Sequence, residues 1–466
     1  MRRALICLVL LLLVPVGGAA WAQSGLPAGL QKKIDELARE TLAKMGVPSG
    51  SLAVVKDGQI AYVQAYGDGR LEPRVAAKPA MRYSIGSISK QFTATAILML
   101  QEQGKLSLDD AVGKYVSGLT DGDKVTIREL LSHTSGYQDY WPQDYVMPGM
   151  LKPVTARKIL DEWARKPLDF EPGTKWQYSN TNYVIAGLIV EKVSGKPLLE
   201  FLREKVFGPL GMKSVANIDE QPLGQEDAQG YFCFALGPLH PAPKEGKGWL
   251  FAAGELAMTA EDLAKWDIAM IGQTLMKAGS YRELETEVRL KDGLGTEYGL
   301  GVGVSRQFGH RAISHGGEVS GFTANNLVFP DERVAVAVLT NRDAARAAAV
   351  IAQRVAPLLL TSEDPSTPAK LEKAKMIFAG LQKGQLDRTL FTDNANFYFS
   401  QQALGDFAAS LGPLAMPDEF VQTDERLRGG MKLRVYRVKA GERTLRVWTY
   451  EMPDGKLEQY QVAAAD

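Results

Sequence analysis

Apolar residues recur at helical spacing at Leu30, Ile34, Leu37 and Leu42, and this periodicity predicts an amphipathic helix over 30–45. The pattern then changes to two β-rich runs, SLAVVK and QIAYVQAYG, joined by Asp57-Gly58, a dipeptide that favours a tight hairpin. From Phe92 to Leu100 apolar positions cover nearly every side, so this helix belongs inside a domain, and Gly104 stops it. Thr126 to Glu129 (TIRE) has the form of a capping box opening a short helix that ends near SHTSG. NYVIAGLIVEKVSG, closed by Gly195, and TAEDLAKWDIAM read as further helices. Near Ile313 the chain returns to strands: GFTANNLVFPDERVAVAVLTN reads as two β runs turned at Pro330-Asp331, before the helix AARAAAVIAQRVAPLLL. A hairpin at the start, strands at the end and helices between predict one antiparallel sheet built from both ends of a 23–360 domain. Helices flank it and an all-helical region is inserted, an α/β (α+β) fold.

TSEDPSTPAK, residues 361–370, is polar and proline-containing and reads as a linker. Residues 371–466 predict a small α+β domain. It has helices near 371–381 and 402–411 and three β runs (KLRVYRV, TLRVWTY, LEQYQVA), and by pattern it resembles cystatin-like or NTF2-like folds. No catalytic pattern lies in it.

Charge is balanced, with 54 basic and 54 acidic residues among 466 and no like-charge block, which speaks against nucleic acid or an anionic membrane surface as a partner. The first 22 residues carry two arginines, an apolar run and Ala20-Trp21-Ala22. This is the pattern of a secretory signal cut after Ala22, so a periplasmic or secreted bacterial protein without a stable membrane anchor is expected. Retention as an anchor helix is the alternative, although the unbroken apolar stretch is short for the roughly 20 residues a span needs. Cleavage would remove Cys7 and leave Cys233 alone, so no internal disulfide can form.

One stretch poses a chemical question: YSIGSISKQFTATAILMLQEQG sets Ser87 and Lys90 at the start of an otherwise apolar helix. Residues i and i+3 share a helix face, so the two are expected to be neighbours in the first turn. A serine hydroxyl needs a base beside it, and a lysine becomes one when burial disfavours its charged form. A Ser-x-x-Lys tetrad also arises as an ordinary cap with a solvated lysine, so its company matters. Tyr178-Ser179-Asn180 follows, then His315-Gly316-Gly317, with SHTSG (132–136), PLGM (209–212) and TAEDLAKW (259–266) around them.

In this order the motifs resemble the penicillin-recognising serine hydrolases: class C β-lactamases, D-Ala-D-Ala carboxypeptidases and related serine esterases. The resemblance covers about residues 26–360 and implies the serine β-lactamase-like fold. It implies Ser87 as the acylated nucleophile, Lys90 as its proton acceptor and Tyr178 as a second proton-transfer group. Asn180 would bind the substrate amide, and the backbone N–H groups of Ser87 and Glu318 would form the oxyanion hole beside His315, Gly316 and Gly317. No cofactor or metal is implied: His310 and His315 lack a carboxylate-rich partner motif.

Three substrate classes suit this chemistry: a D-Ala-D-Ala peptide, a carboxylic ester or a β-lactam. Histidine at the third motif, where class C β-lactamases usually carry lysine, favours a peptidase or esterase; a non-catalytic binder or sensor is the remaining alternative. His133 is expected to pack, and Cys233 to be a small buried hydrophobe. Tyr137, Tyr140, Trp141 and Tyr145 are expected either to line the cleft or to pack a loop. Oligomeric state is not legible.

Overall fold

The computed structural model describes residues 25–143, 145–360 and 367–465, so the expected signal sequence lies outside the described residues, as does part of the 361–370 stretch. Two units emerge, divided between Leu360 and Thr361.

In the first unit the predicted hairpin forms strands β1 (Ser49–Lys56) and β2 (Gln59–Leu71), turned by Asp57 (φ 55) and Gly58 (φ 75), the two left-handed positions a tight hairpin requires. With β3 (Arg74–Ala76), β4 (Gly303–Gln307), β5 (His310–Val319), β6 (Phe322–Phe329) and β7 (Val334–Thr340) they make a sheet ordered β3-β2-β1-β7-β6-β5-β4. Its centre joins the two ends of the unit: β1 pairs antiparallel with β7, Leu52 opposite Val338.

Side chains alternate faces along a strand, and both faces of the central strands are apolar. Val54, Val336 and Val338 enter one core with helices α1 (Ala28–Lys44) and α6 (Ala347–Leu360). Ala53, Ala337 and Leu339 enter the other, larger core, with α2 (Ser89–Glu102), α4 (Asn180–Ser194) and α5 (Ala260–Gly272). Helix α2 is buried from Ser89 to Leu100, and its polar residues are matched: Thr93 donates to Ala252 O at 2.8 Å and Gln91 donates to Asn326 Oδ1 at 2.8 Å. The TIRE segment closes its capping box at the head of α3 (Ile127–Leu131), and Gly195, at φ 72, ends α4.

Strand β5 is paired unequally. Its pairing with β6 runs from Ile313 to Val319, but with β4 only from His310 to Ser314. Past Ser314 that second edge carries no strand and faces the turn that holds Ser87.

The second unit is an antiparallel meander, β8 (Glu419–Arg428), β9 (Met431–Ala440), β10 (Arg443–Glu451) and β11 (Leu457–Ala464), with helices α7 (Thr367–Leu381), α8 (Asp393–Tyr398) and α9 (Gln401–Leu411). Phe378, Phe399, Val447 and Tyr460 anchor its core. Two features differ from the sequence reading. Helix α7 begins inside the stretch read as linker, and a fourth strand, EFVQTDERLR, precedes the three expected ones. That strand is polar, shifts register between Gln422 and Asp424, and shows no clean alternation to announce it.

Candidate active site

Ser87 does not lie in the α-helix, as its spacing from Lys90 suggested, but in a 3₁₀ turn, Gly86–Ile88, that leads into α2 at Ser89. Gly86 makes the sharp entry possible with φ 51. The neighbour relation holds all the same: Lys90 Nζ is 2.9 Å from Ser87 Oγ.

Lys90 is completely buried. Its three donors reach Ser87 Oγ, Asn180 Oδ1 at 2.8 Å and Ala253 O at 2.9 Å, all neutral acceptors, and the rings of Tyr178 and Tyr183 lie 5.0 and 5.4 Å from Nζ. Burial among neutral groups lowers the Lys90 pKa to about 7, with the charge of Asp139 opposing the shift in part. An amine poised there exchanges protons with a serine hydroxyl near neutral pH.

Tyr178 is half-buried, and desolvation pushes its phenol well up, a hydrogen bond from Ser87 offsetting part of that shift. His133 packs against it, ring centroids 4.3 Å apart, and His133 Nδ1 accepts the Ser179 N–H at 3.2 Å. The packing expected of His133 is therefore packing against a site residue. Asn180, the first residue of α4, presents its backbone N–H and its side-chain amide to Asp139, at 2.9 and 3.3 Å, which turns its Oδ1 toward Lys90. Asp139 went unnoticed in the sequence, where its only signal is one carboxylate among the aromatic residues 137–141.

His315 has both ring nitrogens engaged. Nε2 lies 2.8 Å from Tyr298 Oη and Nδ1 2.5 Å from Gly316 O, so Nδ1 donates to the carbonyl and Nε2 accepts from the phenol. Burial, and then the nearby Lys90 charge, lower its pKa to about 4, which leaves the ring neutral. Tyr298 was not singled out by any motif; it arrives through the fold.

The third motif and the serine turn interlock. A Cβ on Gly317 would stand 1.9 Å from Ile85 O, and one on Gly86 would stand 2.7 Å from Glu318 N, whereas one on Gly316 would meet nothing within 4 Å. Only glycine permits the first two contacts, which press the Glu318 backbone against the turn of Ser87. Two backbone N–H groups brought together in this way are what stabilisation of an oxyanion requires. The Glu318 carboxylate accepts the Ala344 N–H at 2.7 Å.

These groups border a cleft of about 1670 Å³ whose lining includes Trp141, Tyr145, Trp176 and Phe234. Tyr140 also lines it, although its side chain is buried and its hydroxyl donates to Trp249 O. Tyr137 does not: it is buried, donating to Thr120 O at 2.8 Å. Nor is Cys233 a buried hydrophobe. It sits half-exposed on the cleft wall, its Sγ accepting from Arg342 Nη2 at 2.8 Å, because the short Tyr231–Cys233 strand runs along the rim. His310 pairs instead with Glu332, at 2.5 Å. Among the described residues no group of three or more histidine, cysteine, aspartate or glutamate side chains is arranged to hold a metal ion.

The beta-lactamase family model matches residues 34–359. A D-aminopeptidase of Brucella anthropi is 30% identical over 298 residues, 63% of this chain and 56% of the relative, so the chain spans little more than half the length of the curated relatives it matches. Among solved structures, a penicillin-binding protein homologue from Pyrococcus abyssi, described as octameric, aligns with a TM-score of 0.65 at 25% identity, covering 93% of this chain and 99% of that one. A D-stereospecific amidohydrolase from Streptomyces sp. aligns with a TM-score of 0.59 at 28% identity, covering 68% and 96%.

Proposed function

The chain belongs to the beta-lactamase family of penicillin-binding-protein-like serine hydrolases, and from that premise we propose that it is an exported enzyme that cleaves amide or ester bonds of D-configured acyl groups through an acyl-enzyme on Ser87. The observation that carries the reading is Lys90: buried, 2.9 Å from the Ser87 hydroxyl and with a pKa lowered to about 7. A lysine kept only for structure would be expected to pair with a carboxylate or reach solvent.

Neutral Lys90 takes the Ser87 proton as Oγ bonds to the substrate carbonyl carbon, and the oxygen that becomes negative is met by the N–H groups of Ser87 and Glu318. Collapse breaks the bond to the leaving group, which departs with a proton passed through Tyr178. Water then attacks the ester on Ser87; its proton goes to the Lys90–Tyr178 pair, Oγ regains one, and the acid leaves. Asn180, held by Asp139, binds the amide of the substrate.

Two observations support a D-amino acid amide or peptide over a β-lactam or a C-terminal D-Ala-D-Ala peptide. The D-aminopeptidase likeness is one. The other is His315, neutral and occupied by Tyr298 and Gly316 O, which offers no positive charge to a substrate carboxylate. Export rests on the first 22 residues. The test is hydrolysis of D-alanine p-nitroanilide against its L enantiomer and against benzylpenicillin. Preference for the D-anilide, lost in Ser87→Ala, supports the reading; preference for the penicillin, or turnover that survives in folded Ser87→Ala, overturns it.

A further inference from the structure

We propose that Glu318 is a specificity-determining residue that reads a protonated amine on the acyl side of the substrate; the proposal rests on the hydrolase reading above. Along β5 exposure alternates: His315, Gly317 and Val319 are buried, while Gly316 and Glu318 are exposed and line the cleft. Glu318 is therefore turned to the same side as the open space over Gly316.

Its backbone already touches the serine turn, since the Glu318 nitrogen would lie 2.7 Å from a Cβ on Gly86. The reacting carbonyl must sit between these two segments, and the substituents of an acyl α-carbon lie one bond from that carbonyl. A carboxylate carried by the same residue that lends its N–H to the oxyanion thus faces the cleft those substituents enter.

The carboxylate is also held. Its Oε1 accepts the Ala344 N–H at 2.7 Å, and Ala344 makes this contact with φ 50, a left-handed conformation disfavoured for a residue with a Cβ. The rest of the cleft agrees in sign. Asp139, Asp169 and Asp343 line it with Glu318, against Arg346 in the lining and Lys90 and Arg342, which reach Ser87 and Cys233 from behind it, and His315 contributes no charge. Such a wall attracts a cation and repels a carboxylate. An N-terminal residue presents an ammonium on the α-carbon, and the configuration at that carbon decides whether the ammonium or the side chain turns to Glu318.

The experiment compares kcat/KM at pH 7 for D-alanine p-nitroanilide, whose amine is protonated, with that for the neutral N-acetyl-D-alanine p-nitroanilide, in the wild type and in Glu318→Gln. Glutamine keeps the length and can still accept from Ala344. We expect the amine-to-acetyl ratio to fall about tenfold in the variant, mainly through KM, as loss of one partly exposed charge contact predicts. A ratio unchanged within about twofold, while both substrates turn over through Ser87, overturns the assignment and leaves the hydrolase reading standing. If neither anilide is cleaved, the D-amide reading fails separately. Protection of Ser87 from a fluorophosphonate by D-alaninamide over N-acetyl-D-alaninamide, lost in Glu318→Gln, then still supports the amine site. Equal protection by the two amides, or protection unchanged in the variant, overturns it.

Discussion

Lys90 in the first unit and Arg434 in the second are both buried, yet one is met by neutral oxygens and the other by carboxylates. Arg434 donates to Glu425 at 2.9 Å and to Glu451 at 3.0 Å, and Lys432 and Lys370 reach the same two glutamates. Its surroundings stabilise the charge. Around Lys90 the nearest help is Asp139, which is occupied with Asn180, so the charged form is left at a disadvantage and the proton is easily given up. The difference separates a cation held by carboxylates from an amine suited to moving protons.

Experiments can break or sharpen this contrast. The largest effect is expected from Ser87→Ala, which removes the partner that makes the lysine useful: kcat should fall by about 10⁴-fold or more in a folded protein, read from anilide turnover. Lys90→Met should lower the acylation rate by about 10²–10⁴-fold without unfolding the protein, since no carboxylate is left behind; stopped-flow acylation checks the first part and thermal melting the second. Arg434→Met should do the reverse, destabilising the second unit by about 2–3 kcal/mol through loss of its two charge-assisted hydrogen bonds, the glutamates keeping Lys432 and Lys370, as seen in denaturant titration, with little change in turnover per folded molecule.

Two pH experiments follow from the Lys90 shift. As a base it must be deprotonated, so with the N-acetyl anilide, which has no titrating amine, kcat/KM should rise as pH passes through about 7 and then level. Stability should respond as well: between about pH 7 and the ordinary lysine value near 10.4 the unfolded chain holds a proton that the folded one has released, so stability climbs with pH across that window. Comparing wild type with Lys90→Met isolates this slope, which the variant should lack. The smallest effect is reserved for Asp139→Asn, which weakens the hold on Asn180 and should cost about tenfold in kcat/KM, the scale of one charge-assisted hydrogen bond.

The sheet and its helices were legible because their apolar residues repeat at two or at about 3.6, and Ser87, Lys90, Tyr178, Asn180 and His315 because short motifs carry them. What escaped has no local signature. Asp139 and Tyr298 stand far along the chain from Asn180 and His315 and meet them only through the fold. The α7 start at Thr367 and the strand Glu419–Arg428 were missed because both segments are polar; pairing with β9 makes the strand, not its own pattern. Arg434 hides in KLRVYRV, where a charge mid-strand is explained only by the two glutamates that flank it in space.

The pairing of β1 with β7 sets an order of events during synthesis. Leu52 and Val338 must meet for the central sheet to exist, and Gly86 must meet Glu318 for the serine turn to find its opposite wall. The helix that carries Lys90 is therefore translated long before the strands that complete its surroundings. A nascent chain stopped anywhere before β5 has a nucleophile with no oxyanion donor opposite it, and a lysine with no sheet to seal it from water. Such long-range closure is slow compared with local helix formation. Acyl transfer therefore requires both ends of the first unit to have paired, and no fragment that lacks either end can assemble the site.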